Sequence, residues 1–306
     1  MDAWLDLLTT HLARPWWSLV SAYLPWMLLV FVIERALAAR PHDARGAWLN
    51  LRYIATALVI NVLLVEGLGR AWLTPAADLL RPALAPVRAL LSQPPVWVQF
   101  LLHVAVIDFL YYWTHRAQHR FAPLWRLHEL HHSDPSFNVT TTLRVHWLEE
   151  LMKLVTVLLP AALLVDAPSG VPTLLVWTGA VWLFFIHANA RIGFGPLDRV
   201  LVSPAVHRVH HSTEPAHHDR NFAAYFSFWD VLFGTYHAPP RGRWPAVGTA
   251  GRPPGSALAA HLLPPLEGGG QHLAHGGRFP AREPRSEVFA VRPDGVDALL
   301  GARLVP

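Results

Sequence analysis

Cysteine is absent from the 306 residues, which excludes disulfide frameworks, thiolate zinc sites, iron–sulfur clusters and cysteine nucleophiles. Charge is scarce as well. Only 15% of the residues are charged against 53% hydrophobic, a balance that points to a polytopic membrane protein rather than a water-soluble domain. No basic stripe suited to nucleic acid is present, so the net charge of +4 reads as basic loops facing an anionic inner leaflet. No dinucleotide fingerprint occurs either, because the glycines of Arg191-Ile-Gly-Phe-Gly195 have the spacing of a simple turn.

What the chain does contain is apolar runs and histidine. The run Trp16 to Ile33 is uncharged and long enough for a span, closing on Glu34 and Arg35. A second run, Tyr53 to Leu73, is interrupted by Asn61, Glu66 and Arg70, and a third, Pro95 to Trp113, holds only Asp108 as a charge. Between them, Thr74 to Pro94 is proline-rich and reads as an interfacial connection. Leu151 to Val165 and Val171 to His187, separated by Asp166, Pro168 and Gly170, read as a helical hairpin. The four arginines between Arg35 and Arg52 place that loop in the cytoplasm by the positive-inside rule. Counting spans forward then puts every histidine cluster on the same face.

The expected fold is all-α: a bundle of four to five membrane helices with a cytoplasmic helical cap, in a bacterial inner membrane. Three parts are expected: membrane helices and connection over 1–94, a catalytic domain over 95–237, and a tail over 238–306 rich in Gly and Pro. The tail histidines His261, His272 and His275 show no ligand spacing.

Fourteen of the 19 histidines lie between His103 and His237. His115-Arg-Ala-Gln-His119 continues the third span, and its two imidazoles share one helical face a turn apart. His128-Glu-Leu-His-His132 and His207-Arg-Val-His-His211 each place i, i+3 and i+4 on one face, giving three nitrogen donors per turn. Eight imidazoles exceed the needs of a tetrahedral ion and suggest two metals close together. Imidazole alone leaves zinc, iron, copper and nickel open.

The stretches Asp108 to His119, Leu124 to Ser133, Asn138 to His146, His207 to Ser212, Asn221-Phe222 and Trp229 to Thr235 resemble the fatty acid hydroxylase/sterol desaturase superfamily over residues 95 to 237. The resemblance implies a membrane di-iron oxidoreductase that uses O2 and two electrons to hydroxylate or desaturate a lipid C–H bond, on a fatty acyl, sterol or other isoprenoid substrate. It implies that His115, His119, His128, His131, His132, His207, His210 and His211 ligate two iron ions, with His187 as a ninth ligand. Asp108, His146 and Glu149 are the remaining candidates for the chemistry, since metal-bound imidazoles usually give their other N–H to a carboxylate, carbonyl or water. His217 and His218 read as loop residues, with a ligand or entry role as the alternative. Tyr111, Tyr112, Trp113, Trp125, Trp147 and Trp229 read as an interfacial aromatic belt.

Without nucleotide site, haem attachment or cluster cysteine, the electrons must come from outside, from a ferredoxin or a b-type cytochrome with its reductase. Two competing readings remain: a membrane metal-binding or transport protein, and a zinc-dependent lipid hydrolase with Glu129 or Glu149 as base. Transport sites usually sit near the bilayer midplane, whereas these boxes lie beyond the span ends.

Overall fold

The computed structural model describes residues 14–68, 74–165 and 171–249. The hairpin tip at Asp166, Pro168 and Gly170, the Arg70 end of the second run, and His261, His272 and His275 lie outside them. Among the described residues the structure is helical with no strand; two isolated bridges, Ala38 with Ala190 and Ser212 with Val247, are the only β pairings.

Helix α1 (Arg14–Ala36) carries the first apolar run through Pro25. Helix α2 (Ala44–Leu68) begins nine residues before the expected Tyr53. The Asp43 side chain accepts the Arg45 N–H at 3.0 Å, which caps the helix and lets it start within a polar stretch. Two short helices, α3 (Thr74–Leu80) and α4 (Ala85–Leu91), fill the connection and expose Leu79 and Leu90. Helix α5 (Val96–Arg120) follows. Its 25 residues extend roughly 37 Å at about 1.5 Å each, enough to cross a hydrocarbon core of about 30 Å and carry its last turn beyond it. The last turn holds His119, with His115 one turn before it.

An extended residue, Phe121, breaks the chain before α6 (Ala122–His132), whose first turn contains Pro123, a position where proline suits a helix start. The second box is thereby folded back beside the first. A bent segment follows: α7 (Trp147–Lys153), a π-turn at Leu154–Leu158, and α8 (Leu159–Leu164). The remaining helices are α9 (Val171–Ile186), α10 (Pro204–His210) and α11 (Phe228–Phe233). Two helices, over Trp17–Ala36 and Val96–Arg120, are long and apolar enough to cross a membrane, and Leu174–Ile186 is a shorter apolar helix.

Two apolar clusters brace this arrangement. Val30, Val139, Ala180, Phe184, Ala188 and Ala190 join α1 to α9, where small side chains let the backbones approach. Tyr112, Ile186, Val202, Val206, Phe222 and Ala223 join α5, α9 and α10. The expected aromatic belt divides accordingly. Trp113 is exposed, but Tyr112 and Trp125 are fully buried, because the Tyr112 hydroxyl finds Thr235 at 2.8 Å and Trp125 packs against His119 and His132.

Polar side chains tie the helix ends together. Glu34 is buried at the end of α1, and its Oε2 accepts the backbone N–H of Val139 at 2.8 Å and of Asn189 at 3.0 Å. Asn50 on α2 donates to Asp134 and Thr140 and accepts from Arg144. Arg144 also donates to the Leu130 carbonyl and to Ser133. The loop after α1, the loop after α6 and the segment after α9 therefore meet at one end of the bundle.

Replacing Glu34 with Ala strands two buried N–H groups, at about 1–3 kcal/mol each. The expected outcome is a thermal midpoint lowered by about 5–10 °C, measured in detergent by intrinsic fluorescence, with Glu34→Gln losing less because it keeps an acceptor oxygen.

Candidate metal centre

Nine buried imidazoles converge in two groups. His115, His119, His128, His132 and His210 form one, and His131, His187, His207 and His211 the other, with the donor atoms of each group within 4.8 Å of one another. These are the eight box histidines and His187. The grouping cuts across the boxes. His128 and His132, a helical turn apart, stay together while His131 joins the other group, and His207 and His211 stay together while His210 crosses the opposite way. Helix geometry explains the division. At about 100° per residue, i+3 and i+4 fall on opposite flanks of the line through residue i, so one H-x-x-H-H turn wedged between two sites feeds both.

The outer nitrogens show what the inner ones can do. His115 Nδ1 lies 2.7 Å from the Phe222 carbonyl, His187 Nδ1 2.7 Å from the Leu183 carbonyl, and His210 Nδ1 2.8 Å from the Arg220 carbonyl. Carbonyl oxygens only accept, so each of these Nδ1 atoms carries the proton and the neutral ring presents a bare lone pair at Nε2. His128 Nδ1 faces the Glu149 carboxylate at 3.2 Å, with the same result. Yet the Nε2 atoms of His115 and His128 are 2.9 Å apart, and His187 Nε2 lies 3.1 Å from His131 Nε2 and 2.9 Å from His207 Nε2. Facing lone pairs repel unless a cation sits between them. Two nitrogens each about 2.1 Å from a metal and at right angles are about 3.0 Å apart, the spacing found here. Burial first, and neighbouring imidazoles second, hold His131, His132, His207 and His211 well below the usual histidine range, which disfavours protons as the bridging charge. The donor set fits bound metal.

The carbonyls that orient these rings are held by carboxylates. Asp108, two turns before His115 on α5, accepts the N–H groups of Ala224, Tyr225 and Phe226 at 2.9, 3.0 and 2.8 Å. Asp230 accepts those of Phe222 and Ala223 at 2.7 and 3.0 Å. Five successive backbone donors are thus taken by two buried side chains, and the Phe222 carbonyl is left aimed at His115. Asn221, at φ 57°, donates to the Val206 and His237 carbonyls, fixing the same loop to α10.

The other expected residues divide by contact. Glu149 touches His128. His146 caps α7, its Nδ1 accepting the Leu148 N–H at 3.1 Å, and so places the turn that carries Glu149. Neither Asp108 nor His146 belongs to a histidine group. His217 is buried rather than loose in a loop, with Nδ1 2.8 Å from Ser212 Oγ. Asp230 falls within the Trp229 to Thr235 stretch, but nothing in the sequence signals the backbone it positions. The assignment of each box to two groups is likewise visible only in three dimensions.

The sequence matches the profile of the fatty acid hydroxylase family over residues 100–235. An ornithine lipid hydroxylase of Rhizobium tropici is 30% identical over 243 residues, covering 78% of this chain and 72% of that protein. The human alkylglycerol monooxygenase is 33% identical over 150 residues, 48% of this chain and 32% of that protein. A very-long-chain aldehyde decarbonylase of Oryza sativa is 27% identical over 150 residues, 45% of this chain and 23% of that protein. No solved structure matches the chain.

Two outcomes follow. The unfolded chain takes protons on His131, His132, His207 and His211 below about pH 6.5 that the folded, metal-free chain refuses. Its stability is therefore full above that pH and falls as pH drops through 6 and 5, by at most about 1.4 kcal/mol per pH unit per histidine, measurable by denaturant titration of chelator-treated protein. Glu149→Ala removes the acceptor for His128 Nδ1 and is expected to weaken metal binding about 10–100-fold, read by competition with a chromogenic chelator.

Proposed function

The chain belongs to the fatty acid hydroxylase family and is a membrane oxidoreductase of lipids, and we propose that it works through two iron ions, one in each histidine group, with O2 as co-substrate. The observation that supports this is the convergence of nine buried imidazoles, seven of which bring Nε2 atoms within about 3 Å of one another. Iron bound there would supply the redox chemistry that activates O2 towards an unactivated C–H bond. The rest falls to the chain itself. The carbonyls of Phe222, Arg220 and Leu183 and the Glu149 carboxylate keep each Nδ1 protonated, so that Nε2 remains a donor. Asp108 and Asp230 act as positioning residues by holding the 222–226 loop. Trp125, Phe137 and Phe222, all buried against the imidazoles, keep water from the centre.

The substrate we infer is a lipid with a polar end and a long acyl or alkyl chain, in keeping with the ornithine lipid, alkylglycerol and very-long-chain aldehyde in the relatives' names. It reaches the centre laterally, at the polar ends of the membrane helices. Four to five membrane helices, from α1, α2, α5 and the α7 to α9 hairpin, form the bundle in a bacterial inner membrane, with the cap on the cytoplasmic face. Support comes from the Glu34 contacts, which join the arginine-rich loop after α1 to the same end as the histidines. Two electrons per turnover come from a separate ferredoxin or b-type cytochrome, since the chain has no cysteine for a cluster of its own.

The test is lipid mass spectrometry of cells supplied with 18O2, with and without the protein. Gain of one labelled oxygen means hydroxylation and loss of two hydrogens means desaturation. His131→Ala combined with His132→Ala removes a donor from each group, so iron and product should both disappear. Full turnover without iron, or two zinc ions with no O2 dependence, would overturn the assignment in favour of hydrolysis.

A further inference from the structure

One side of the second histidine group is closed by a stack whose members are each anomalous. Phe137 is fully buried at φ 32°, a backbone conformation that a bulky residue adopts only under strain. Its ring lies 5.6, 6.2 and 4.8 Å from those of His187, His207 and His211. Over Phe137 sits the Arg208 guanidinium, 5.4 Å from the ring centre, and the same guanidinium is 5.2 Å from the Trp244 ring. Arg208 is 1% exposed. Its Nε donates to the Pro245 carbonyl at 2.9 Å, while Nη1 is buried without a hydrogen-bond partner. No carboxylate pairs with it among the described residues. The guanidinium stays a cation at neutral pH. A buried cation held only by two ring faces and a carbonyl is costly, and it sets a fixed positive charge beside the second histidine group.

The outer end of the stack is basic. Trp244 is half-buried, and Arg40, Arg241 and Arg243 around it are exposed. Arg40 Nη2 donates to the Trp244 carbonyl at 3.2 Å, and Arg243 pairs with Glu214. Arg40 and the Arg241 to Trp244 segment thus bring three exposed guanidinium groups to the rim of the stack, of which Arg243 is paired with Glu214.

We propose that the Arg40, Arg241 and Arg243 surface is the docking site of an acidic one-electron donor protein, and that Trp244, Arg208 and Phe137 form its electron path to the second histidine group. This rests on the di-iron reading above. In each encounter the donor's reduced centre loses one electron and the metal pair gains one; two encounters supply a turnover, and no bond or proton changes along the stack. The fixed charge of Arg208 offsets the arriving electron. Phe137 and Trp244 keep the path in contact from surface to imidazole, and the rim guides the encounter electrostatically.

The test uses the full chain in nanodiscs, metal-free and iron-loaded, with an acidic plant-type [2Fe–2S] ferredoxin as probe. Reversing Arg40, Arg241 and Arg243 to Glu should weaken ferredoxin binding at least about tenfold and flatten its salt dependence. That loss should occur in the metal-free protein too, whereas Arg120→Glu with Arg126→Glu, on other exposed turns, should change it by less than about twofold. Trp244→Leu and Arg208→Gln should slow iron reduction by saturating ferredoxin at least about tenfold relative to reduction by dithionite. Arg208→Gln should also shift the iron midpoint potential negative. Binding that survives the triple reversal, or that phosphatidylglycerol vesicles alone displace, overturns the docking site. Unchanged saturating rates and potential in both stack variants overturn the path. A protein that never holds iron defeats the di-iron reading instead, and leaves the metal-free binding result to stand or fall separately.

Discussion

Everything in this molecule depends on which ring nitrogen of each buried histidine carries the proton. A carbonyl oxygen can only accept, so a histidine with Nδ1 against a carbonyl has its tautomer fixed by the backbone. The Leu183 carbonyl is available because α9 ends at Ile186, which leaves it among the last carbonyls without a helical partner; His187 takes it. The Phe222 and Arg220 carbonyls are available because left-handed residues at Asp219 and Asn221, both at φ 57°, turn the loop around Arg220, and the Phe222 and Ala223 N–H groups are taken by Asp230. Buried polar groups must be satisfied, and the chain meets that demand on the outside of the centre so that the inside stays rich in lone pairs.

The two H-x-x-H-H boxes show an exchange that resembles a local twofold relation. Each keeps its i and i+4 imidazoles on its own site and lends the i+3 imidazole to the other. Neither site is complete without both helices, so α6 and α10 are locked to each other through the donors they trade. His115 and His119 on the first group, and His187 on the second, then make the pair unequal, five donors against four. That inequality gives the two sites different surroundings. The first abuts Asp219, whose Oδ1 is 3.6 Å from His119 Nδ1 at the solvent edge; the second is sealed by Phe137 and Arg208.

Much of this was legible in the sequence because it is local. Spacing of three and four residues places His115 with His119, and the three members of each longer box, on helical turns, and the helices are there. The long apolar runs at Trp16 to Ile33 and Pro95 to Trp113 likewise fall on helices α1 and α5, with Pro95 as the residue that caps α5. What escaped reading is what joins distant segments. Tyr112 and Trp125 looked like interfacial aromatics and are core residues, since their environment is supplied by Thr235 and by the histidines themselves. Asp108 was recognisable as a carboxylate needing a partner near a span end, but its partners are three N–H groups more than a hundred residues away. Glu34, which looked like the punctuation of a span, binds two loops. Local pattern cannot encode such pairings, because any buried acceptor would serve the same sequence signal.

The clamp on the 222–226 loop also sets an order of events during biogenesis. Asp108 emerges from the ribosome well before Ala224, and His115 lies 107 residues ahead of the carbonyl that orients it. Asp230 and Thr235, which complete the clamp, come later still. Through most of synthesis the early imidazoles are free to flip between tautomers and to bind whatever cation is nearby. Selectivity therefore arises late, when the 222–235 segment docks against α5 and turns a loose collection of nitrogens into a shaped cavity. The centre matures from its C-terminal side inward, and a chain stalled before residue 222 would hold all nine donors yet have no means of aiming His115.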